Sequence, residues 1–581
     1  MKVLKTIAFG ALALAFTACS NEPTEPANTE DGANQFMTVN LGMATGSQTM
    51  AATDGGYAQG SAAESSVKLA NSIFLFYDAN GNYLTSGTII GTGGDFLTLT
   101  SNTGNVENRS EATIVLGPTA IKPAQVLAVL NYADKDALKN KTLSDVLATV
   151  ENTSVSSNPA EGDLILTNSV YYDGKVVNAT AISAANICET ADAAKKNPVE
   201  IYVERTVAKV QMAAVAGTSS ITDNGKTKYV YEIKSEDVYV DNAKVQARIV
   251  VDGWKANAIN ESGNLIKSID AAWNTTAPFD GWNLASDFRS FWAQDANYTG
   301  NDINEIYDFT KTHAEQAPTY KNLEYFSWNE CNDADYNQVY LHENTVAPAY
   351  QHGLAGSANS YANVTSMLIA AHLETSADGN TWTKQNLFRQ NGIFYTEASF
   401  KTRLVNTMAG HLRWVTGTTT KTYTNVAPAD LTFTFTSSKD NKSNITAKVS
   451  AVTVPSGATL ERYNVTKATW ESVTSGTTTF QDVLDTYGSV ATEGVTGWND
   501  GACYYQVPIE HLTSTDNNPF WGLVRNHVYE LTLSNIARIG SALWDKDEEL
   551  VYIPGKEKNY YVAARLNILS WKSVKQDVVI E

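Results

Sequence analysis

Catalytic or metal-binding chemistry would depend first on the histidines, of which the chain has seven. His342-Glu343 begins the His-Glu-x-x-His pattern of zinc peptidases, but no second histidine follows at the required position. No Gly-x-Ser-x-Gly nucleophile elbow surrounds any serine. The other histidines are His313, His352, His372, His411, His511 and His527. These residues predict neither a hydrolase nor a zinc enzyme.

Three short turns resemble ligand-binding loops. Residues 78–82 and 332–335 are similar to calcium loops, but each lacks the remaining ligands and the glutamate at loop position 12. Residues 91–94 form neither a P-loop nor a dinucleotide fingerprint. Solvated turns are the favoured interpretation of all three. The carboxylate pairs of glycoside hydrolases come together only in the folded protein, so the sequence leaves this class of enzyme open. We expect no enzyme, no metal site and no cofactor.

The four cysteines divide into Cys19 near the N-terminus and three widely spaced ones, Cys188, Cys331 and Cys503. An odd, widely spaced set predicts neither a disulfide framework nor a zinc site. We therefore expect buried free thiols and a fold that is held together by packing alone.

The N-terminal residues predict export. Two lysines precede an apolar run over residues 7–16, which is too short to cross a bilayer and fits the h-region of a signal peptide. Small residues followed at once by Cys19 resemble a bacterial lipobox, in which the cysteine is acylated. An ordinary signal peptide with a coincidental cysteine is the alternative. The acidic, proline-bearing stretch that follows is typical of a flexible tether.

Composition limits the elements that could position these residues. The 581 residues are 43% hydrophobic and 18% charged, which provides a packed core and excludes disorder over the whole length. The chain has 42 Lys and Arg against 62 Asp and Glu, a net charge of −20, so no basic face for nucleic acid is predicted. The 28 Tyr and 12 Trp favour strands over helical bundles.

Alternation with a period of two, interrupted by turn dipeptides, predicts a mainly β fold. Residues 73–77 lead into an Asp-Ala-Asn-Gly-Asn turn, and residues 431–436 alternate cleanly. The clearest helical signal begins at Thr142, with Asp145 as its capping-box partner and apolar residues at helical spacing as far as Val150. We expect short helices as connections between strands.

A domain boundary is expected near residue 215, where strand-like sequence gives way to a Gly-Thr-Ser-Ser turn. The stretch over residues 254–410 is irregular and rich in Asn, Tyr, Trp and Ala. It predicts long loops inserted into the second domain rather than a third domain.

Strand patterns also occupy the two ends of the chain. The predicted first strand carries Phe36, Met37, Val39, Leu41 and Met43. The C-terminal pattern carries Val562, Ala564, Leu566, Ile568, Trp571, Val574, Val578 and Ile580. Two ordinary terminal strands, each in its own sheet, are one interpretation of this arrangement.

Several stretches, in order along the chain, resemble the fimbrilin or type V pilin family of Bacteroidales, in particular the major subunits of short fimbriae. They are the lipobox at Cys19 and residues 36–43, 126–131, 203–210, 519–521, 524–529 and 569–572. Family members are exported as lipoproteins and fold as two tandem β-sandwich domains of transthyretin-like or Greek-key type. The resemblance implies a signal peptide over residues 1–18, a lipidated propeptide over 19–50, and sandwich domains over 51–215 and 216–581.

In this family a protease removes the lipidated segment with its first strand, and the C-terminal strand of a neighbouring subunit fills the groove. The resemblance implies that residues 36–43 are the removable strand, that processing falls near Met50 and Ala51, and that residues 561–581 are the donor strand. Losing a strand exposes unpaired backbone groups and apolar pockets, which an incoming strand covers again.

One departure from the family pattern concerns processing. In relatives cut by an arginine-specific protease, an arginine follows the first strand, whereas here no arginine occurs before Arg109. Lys68 is the first basic residue beyond the signal. Either another protease cuts within residues 44–66, or the first strand is retained and the chain is a lipid-anchored terminal or anchoring subunit.

The function implied is that of a structural fimbrial subunit, made as an outer-membrane lipoprotein and then displayed at the cell surface, that supports adhesion and biofilm formation. Its expected partners are other copies of itself, accessory fimbrial subunits, a processing protease and host or bacterial surface receptors, with no nucleic acid. A monomeric surface lipoprotein that binds glycans or proteins through its aromatic residues is the alternative.

Overall fold

The computed structural model describes most of the chain. The described residues are 34–44, 60–90, 94–97, 100–101, 106–118, 122–275, 283–284, 288–290, 292–297, 307–308, 310–332, 338–345, 363–438, 441–513, 519–551, 562–563 and 572–580. Strands dominate this part, so the prediction of a mainly β fold is confirmed. None of its helices is both long enough and apolar enough to span a membrane.

The first third of the chain forms twelve strands and three short helices. The strands are β1 (Asn34–Ala44), β2 (Ile73–Tyr77), β3 (Tyr83–Ile90), β4 (Thr100–Ser101), β5 (Val106–Pro118), β6 (Gln125–Leu130), β7 (Val150–Glu151), β8 (Leu166–Asn168), β9 (Tyr171–Tyr172), β10 (Val176–Val177), β11 (Thr180–Ala181) and β12 (Val199–Arg205). The helices are α1 (Ala62–Ser65), α2 (Leu143–Leu147) and α3 (Ala191–Lys195).

Nine of these strands build the first sheet, whose order is β1-β12-β8-β6-β2-β3-β5-β4, with β11 beside β6. Strand β1 also pairs with β5, so the sheet closes on itself through β1. Apolar side chains fill the interior of the closed sheet. A second apolar cluster covers the outer face of β2 and β6, which explains why all five residues of β2 are buried.

The predicted helix at Thr142 is present as α2, and the Thr142–Asp145 capping box is formed as expected. The helix is shorter than predicted because Val150 belongs to β7, which pairs with residues 263–264. The predicted turn after β2 is also present: the Asp78 carboxylate accepts hydrogen bonds from the backbone N–H groups of Asn80 and Asn82.

The middle of the chain contributes fifteen strands and three helices. The strands are β13 (Ala208–Ala214), β14 (Ser220–Asp223), β15 (Lys226–Glu232), β16 (Val238–Val240), β17 (Ala243–Asn257), β18 (Ile259–Asn260), β19 (Gly263–Asn264), β20 (Asn283–Leu284), β21 (Arg289–Ser290), β22 (Leu323–Glu324), β23 (Gln338–Leu341), β24 (Asn344–Thr345), β25 (Ser366–Ser376), β26 (Leu387–Gln390) and β27 (Ile393–Thr396). The helices are α4 (Pro318–Lys321), α5 (Trp328–Asn332) and α6 (Glu397–Met408).

The C-terminal part completes the fold. Its strands are β28 (Leu412–Thr416), β29 (Thr422–Asn425), β30 (Leu431–Ser438), β31 (Asn441–Val452), β32 (Ala458–Asn464), β33 (Thr469–Val473), β34 (Thr496–Trp498), β35 (Ala502–Pro508), β36 (Glu510–Thr513), β37 (Pro519–Leu523), β38 (His527–Ile536), β39 (Ser541–Ala542), β40 (Val562–Ala563) and β41 (Lys572–Ile580). Its helices are α7 (Thr477–Tyr487) and α8 (Ser489–Thr492).

A five-stranded and a twelve-stranded sheet pack around the largest core. The five-stranded sheet has the order β23-β13-β38-β41-β40, and the larger one includes β17, β25 and β35. Apolar side chains from both sheets meet in one buried cluster, which is the arrangement of a β-sandwich. A separate cluster lies where α6 and α7 cover β30 and β31.

The prediction that residues 254–410 form long inserted loops is wrong for much of that stretch. It contains β25, which lies between β17 and β35 and is almost completely buried. A strand covered on both faces carries consecutive apolar residues instead of an alternating pattern, so the period-two criterion misses it.

Buried charges join the first sheet to the rest of the chain. Strand β12 leads into β13 through Thr206 and Val207, so the chain passes from the first sheet to the five-stranded sheet within two residues. Beside this connection, the Arg525 guanidinium contacts the Glu343 carboxylate at 2.7 Å, and both side chains are at most 1% exposed. Lys267 and Glu204 form a second buried pair at 2.8 Å.

Candidate functional site

Strand β1 is held on both sides by backbone pairing. It runs parallel to β12 from the Val39–Val199 pair to the Met43–Val203 pair, and antiparallel to β5 over almost its whole length. A strand with two neighbours has no free edge, and its removal leaves unpaired N–H and C=O groups on both β5 and β12. Strand β1 is therefore the element whose loss opens the first sheet.

The inner face of β1 is part of the core. Met37 and Val39 are fully buried and Leu41 is 4% exposed. They pack in the same cluster as Ile114 of the neighbouring β5 and Phe74 of β2. Burying three side chains of this size contributes roughly 5–9 kcal/mol, at about 1.5–3 kcal/mol each.

The outer face of β1 is polar and is also covered. The Thr38 hydroxyl contacts the Thr113 hydroxyl of β5 at 3.1 Å. The Asn40 side-chain amide donates to the Glu200 carboxylate of β12 at 2.6 Å. Helix α3 packs over this face, and its Ala194 is fully buried. One face of β1 is therefore apolar and the other is polar. This difference determines which face of a strand between β5 and β12 can point into the core.

An ion pair crosses β1 from one neighbouring strand to the other. Arg109 on β5 is the pairing partner of Gly42, and its guanidinium donates to both carboxylate oxygens of Glu200 on β12, at 2.7 and 2.9 Å. Since Gly42 carries no side chain, the two charged groups can meet above the strand. We call the Arg109–Glu200 pair the cross-strand bridge. Both side chains are about half exposed, so its contribution to stability is small.

Helix α1 follows residues 45–59 and is anchored independently of β1. Ser61 caps it, and the Glu64 carboxylate accepts from the Lys209 ammonium at 2.8 Å and from the Tyr340 hydroxyl at 2.6 Å. The Glu64 carbonyl also accepts from the Arg205 guanidinium at 2.8 Å. The chain is thus fixed to β12, β13 and β23 immediately after the segment that leads away from β1.

The Glu64 anchor predicts acid-dependent stability. Burial alone would raise the pKa of Glu64, but hydrogen bonds from Lys209, Tyr340 and Ser61 lower it from 4.5 to about 2. The stabilisation is therefore complete above pH 4.5 and is lost as the pH falls towards 2. We expect Glu64→Gln to lower the free energy of unfolding by about 2 kcal/mol at pH 7 and by much less at pH 3, as measured in urea. Glu161→Gln, at an exposed position, is the control, and equal losses at both pH values would contradict the prediction.

The C-terminal strands lie at the margin of the five-stranded sheet. Strand β41 runs parallel to β38, from the His527–Lys572 pair to the Ile536–Ile580 pair. Strand β40 pairs antiparallel with the end of β41 and is the last strand of this sheet. The C-terminal segment is thus paired within its own chain, on a different sheet from β1, and the predicted donor and removable strands are not brought together.

The predicted site residues divide into those the structure describes and those it does not. The side chains of Met37, Val39 and Leu41 form the inner face of β1. The backbone of Phe36 and Met43 also belongs to this strand. Val562 belongs to β40, and β41 contains Val574, Val578 and Ile580. The remaining predicted residues lie outside the described part of the chain: Cys19, Met50, Ala51, Ala564, Leu566, Ile568 and Trp571.

Sequence reasoning missed the charged groups beside β1, Arg109 and Glu200, and it also missed the Glu64 anchor of α1. Glu200 interrupts the apolar sequence of β12 between Val199 and Ile201, and this isolated charge on a strand was the available signal. Nothing in the sequence connects it with Arg109, which is 91 residues away.

The three described cysteines are free thiols, as expected. Cys331 and Cys503 are buried, whereas Cys188 is only partly buried, which corrects the expectation for that residue. Burial raises the pKa of Cys331 to about 12. Within the described residues, no group of three or more His, Cys, Asp or Glu side chains is arranged to hold a metal ion.

The C-terminal part of the chain matches a known family. Residues 496–577 match the model of the C-terminal region of fimbrillin, the major fimbrial subunit protein type IV. This stretch extends from β34 into β41. The match confirms the predicted resemblance to fimbrilins over these residues, and it agrees with the expectation of a structural rather than an enzymatic protein. None of the curated proteins matches the chain significantly.

Solved structures from Bacteroidales share a weaker likeness. A protein of Parabacteroides distasonis ascribed to cell adhesion is 10% identical, with 59% of this chain and 76% of that chain covered and a TM-score of 0.27. A fimbrial assembly protein of the same species is 10% identical, with 76% and 100% covered and a TM-score of 0.25. A Bacteroides eggerthii protein ascribed to cell adhesion is 14% identical, with 61% and 79% covered and a TM-score of 0.23.

Proposed function

We propose, from the fimbrillin match over residues 496–577, that this chain is a structural subunit of a cell-surface fimbria that assembles by strand exchange. In this proposal the chain is exported as a lipoprotein acylated at Cys19, with a signal peptide over residues 1–18 and a propeptide over 19–50. Cleavage near Met50 and Ala51 releases β1, and a C-terminal strand of another copy replaces it. The proposed domains are residues 51–215 and 216–581, although β13, at the end of the first range, pairs within the five-stranded sheet of the second.

The observation that carries this proposal is the position of β1. It is the strand that closes the first sheet, and its covered apolar face leaves a groove of defined shape when the strand departs. After β1, the chain is fixed again at Glu64. A cut between Ala44 and Gly60 would therefore free β1 without detaching α1 from the body of the protein.

The C-terminal strands are suited to donation because they occupy a sheet margin. Strand β41 pairs along its length with β38 and at only two residue pairs with β40, whereas a strand in the groove of β1 would pair with both β5 and β12. Exchange thus replaces one long ladder of backbone hydrogen bonds with two such ladders. It also covers the apolar side chains that the departure of β1 exposes. Apolar side chains at the required spacing are supplied by Val574, Val578 and Ile580, and further upstream by Val562.

Deletion of residues 561–581 tests the proposal directly. We expect the shortened chain to fold and to be exported but to form no fimbriae, since the donor strand is missing while the first sheet is intact. Negative-stain microscopy and sedimentation of processed protein measure the loss. A control chain with Lys575→Ala should still assemble. Fimbriae formed by the shortened chain would show that residues 561–581 are not the donor.

An anchoring role is the second candidate, and the basic residues favour it. No arginine precedes Arg109, which lies within β5, and Lys68 is already part of the fold, where its backbone N–H donates to the Asn131 side chain at 2.7 Å. If β1 is retained, the lipid at Cys19 holds the chain at the outer membrane as a terminal subunit. N-terminal sequencing of surface material separates the two roles, because a start within residues 45–66 indicates processing and a start at Cys19 indicates anchoring.

A further inference from the structure

A cavity of about 700 Å³ lies in the C-terminal half, remote in sequence and in sheet from β1. Its walls come from three parts of the chain: Tyr307 with residues 311–313, residues 435–437 at the end of β30, and residues 544–551. This volume lies within the range of ligand sites in proteins. The cavity plays no part in the pairing of β1, β40 or β41, so strand exchange gives no reason for its chemistry.

Aromatic rings line the cavity. Trp544 and Phe435 lie in an edge-to-face arrangement with ring centroids 5.6 Å apart, and both side chains are partly exposed. The Trp544 indole N–H donates to the Phe435 carbonyl at 2.9 Å, which fixes the orientation of the indole. Tyr307, from another part of the lining, is only 7% exposed and packs edge-on against Tyr320 and Tyr325, in each case with centroids 5.6 Å apart. The rings are therefore held in place before any ligand arrives.

Carboxylates surround these rings. Four acidic residues contribute to the lining, all from one segment: Asp545, Asp547, Glu548 and Glu549. The basic groups of the lining are Lys311, which contacts Asp308 at 3.7 Å, and His313, whose imidazole lies 3.7 Å from the Glu549 carboxylate. Lys546 contacts Asp500 at 3.2 Å, and its ammonium lies over the Trp328 ring, outside this lining. The cavity therefore carries a clear excess of negative charge.

The acidic residues of the cavity act on one of its aromatic residues. Burial raises the pKa of Tyr307 to about 12, and the charges of Glu549 and Glu548 add to this effect. A cation placed against an aromatic face gains from the ring quadrupole, and nearby carboxylates add charge-assisted hydrogen bonds. Arginine combines both interactions because its planar guanidinium stacks on rings and pairs with carboxylates.

We propose that this cavity binds a basic peptide segment, with arginine or lysine side chains placed against the Trp544 ring and paired with Asp545 and Glu549. The partner is a protein that displays such a segment in extended form. Neutral glycans could stack on the same rings, but they would leave the excess of carboxylate charge without a counterpart. The charge of the cavity therefore favours the cationic ligand.

The probe for this site is a fluorescein-labelled hexapeptide of alternating arginine and glycine, compared with the same peptide in which citrulline replaces arginine. Fluorescence anisotropy with the exported chain should show binding at least tenfold tighter for the arginine peptide. The double variant Asp545→Asn/Glu549→Gln should weaken that binding at least tenfold. Both substitutions keep an oxygen acceptor in place, and thermal unfolding should confirm that the fold is intact.

The matched control is Asp482→Asn/Asp485→Asn, which removes the same charge from two exposed positions on α7. It should leave binding unchanged. An equal loss in both double variants would reduce the effect to general charge attraction and overturn the proposal. Equal binding of the citrulline peptide, or tighter binding of a neutral oligosaccharide, would overturn the ligand class. Fimbria formation by the cavity variant tests strand exchange separately, and we expect it to be retained.

Discussion

A chain that begins at Gly60, and so lacks β1, is expected to lose most of the stability of its first sheet and to self-associate. Met37, Val39 and Leu41 alone account for about 5–9 kcal/mol of apolar burial. Whole domains are stable by only about 5–15 kcal/mol. The pairing edges of β5 and β12 become exposed at the same time, and exposed edges recruit other strands.

Sedimentation velocity and urea unfolding of this shortened chain measure both effects. A synthetic peptide of residues 34–44 should restore the monomer and raise the unfolding midpoint, because it can occupy the groove between β5 and β12. The same peptide with Val39→Asp should not, since it would place a charge in the apolar interior. A shortened chain that stays monomeric and as stable as the longer one would refute the role assigned to β1.

Glu343→Gln is expected to lower the free energy of unfolding by about 3–5 kcal/mol, because it leaves the Arg525 guanidinium buried without a counter-charge. The Arg525 guanidinium also donates to the backbone carbonyls of Leu265 and Asn264, at 3.2 and 2.6 Å. It therefore cannot turn towards solvent without breaking three attachments. The loss should be visible by urea unfolding at neutral pH.

A double-mutant cycle distinguishes charge pairing from simple packing at this position. Arg525→Met alone should be as damaging as Glu343→Gln, whereas the double variant Arg525→Met/Glu343→Leu should recover much of the loss. Glu471→Gln is the control, because it removes the exposed ion pair with Lys467 and should change stability by less than about 1 kcal/mol. Additive losses in the cycle would show that the two charges do not depend on each other.

Local patterns predicted the parts of this fold that depend on neighbouring residues. The alternation of Met37, Val39 and Leu41 predicted a strand with one apolar face, and the structure buries that face. The Thr142–Asp145 capping box predicted the start of α2. The contacts of the capping box are formed by residues close in sequence, and those of the strand are formed by one face of a sheet.

Contacts between residues far apart in the sequence could not be predicted from such local patterns. The cross-strand bridge exists only because β5 and β12 flank the same strand. Strand β25 was taken for loop because burial on both faces removes the alternation on which strand prediction depends. The parallel pairing of β41 with β38 was also missed, since the C-terminal pattern is equally compatible with pairing inside one subunit or between two.

The position of β1 between two strands also determines how this site responds to mechanical force. A pull along β1 loads the ladder bonds on both flanks together in shear, whereas peeling a strand from a sheet margin breaks its bonds one after another. Strand β12 takes up part of that load and continues through Thr206 and Val207 into β13, which is bonded to β38, which in turn is bonded to β41. Tension applied in the groove thus passes to the C-terminal strand along one line of backbone and ladder bonds.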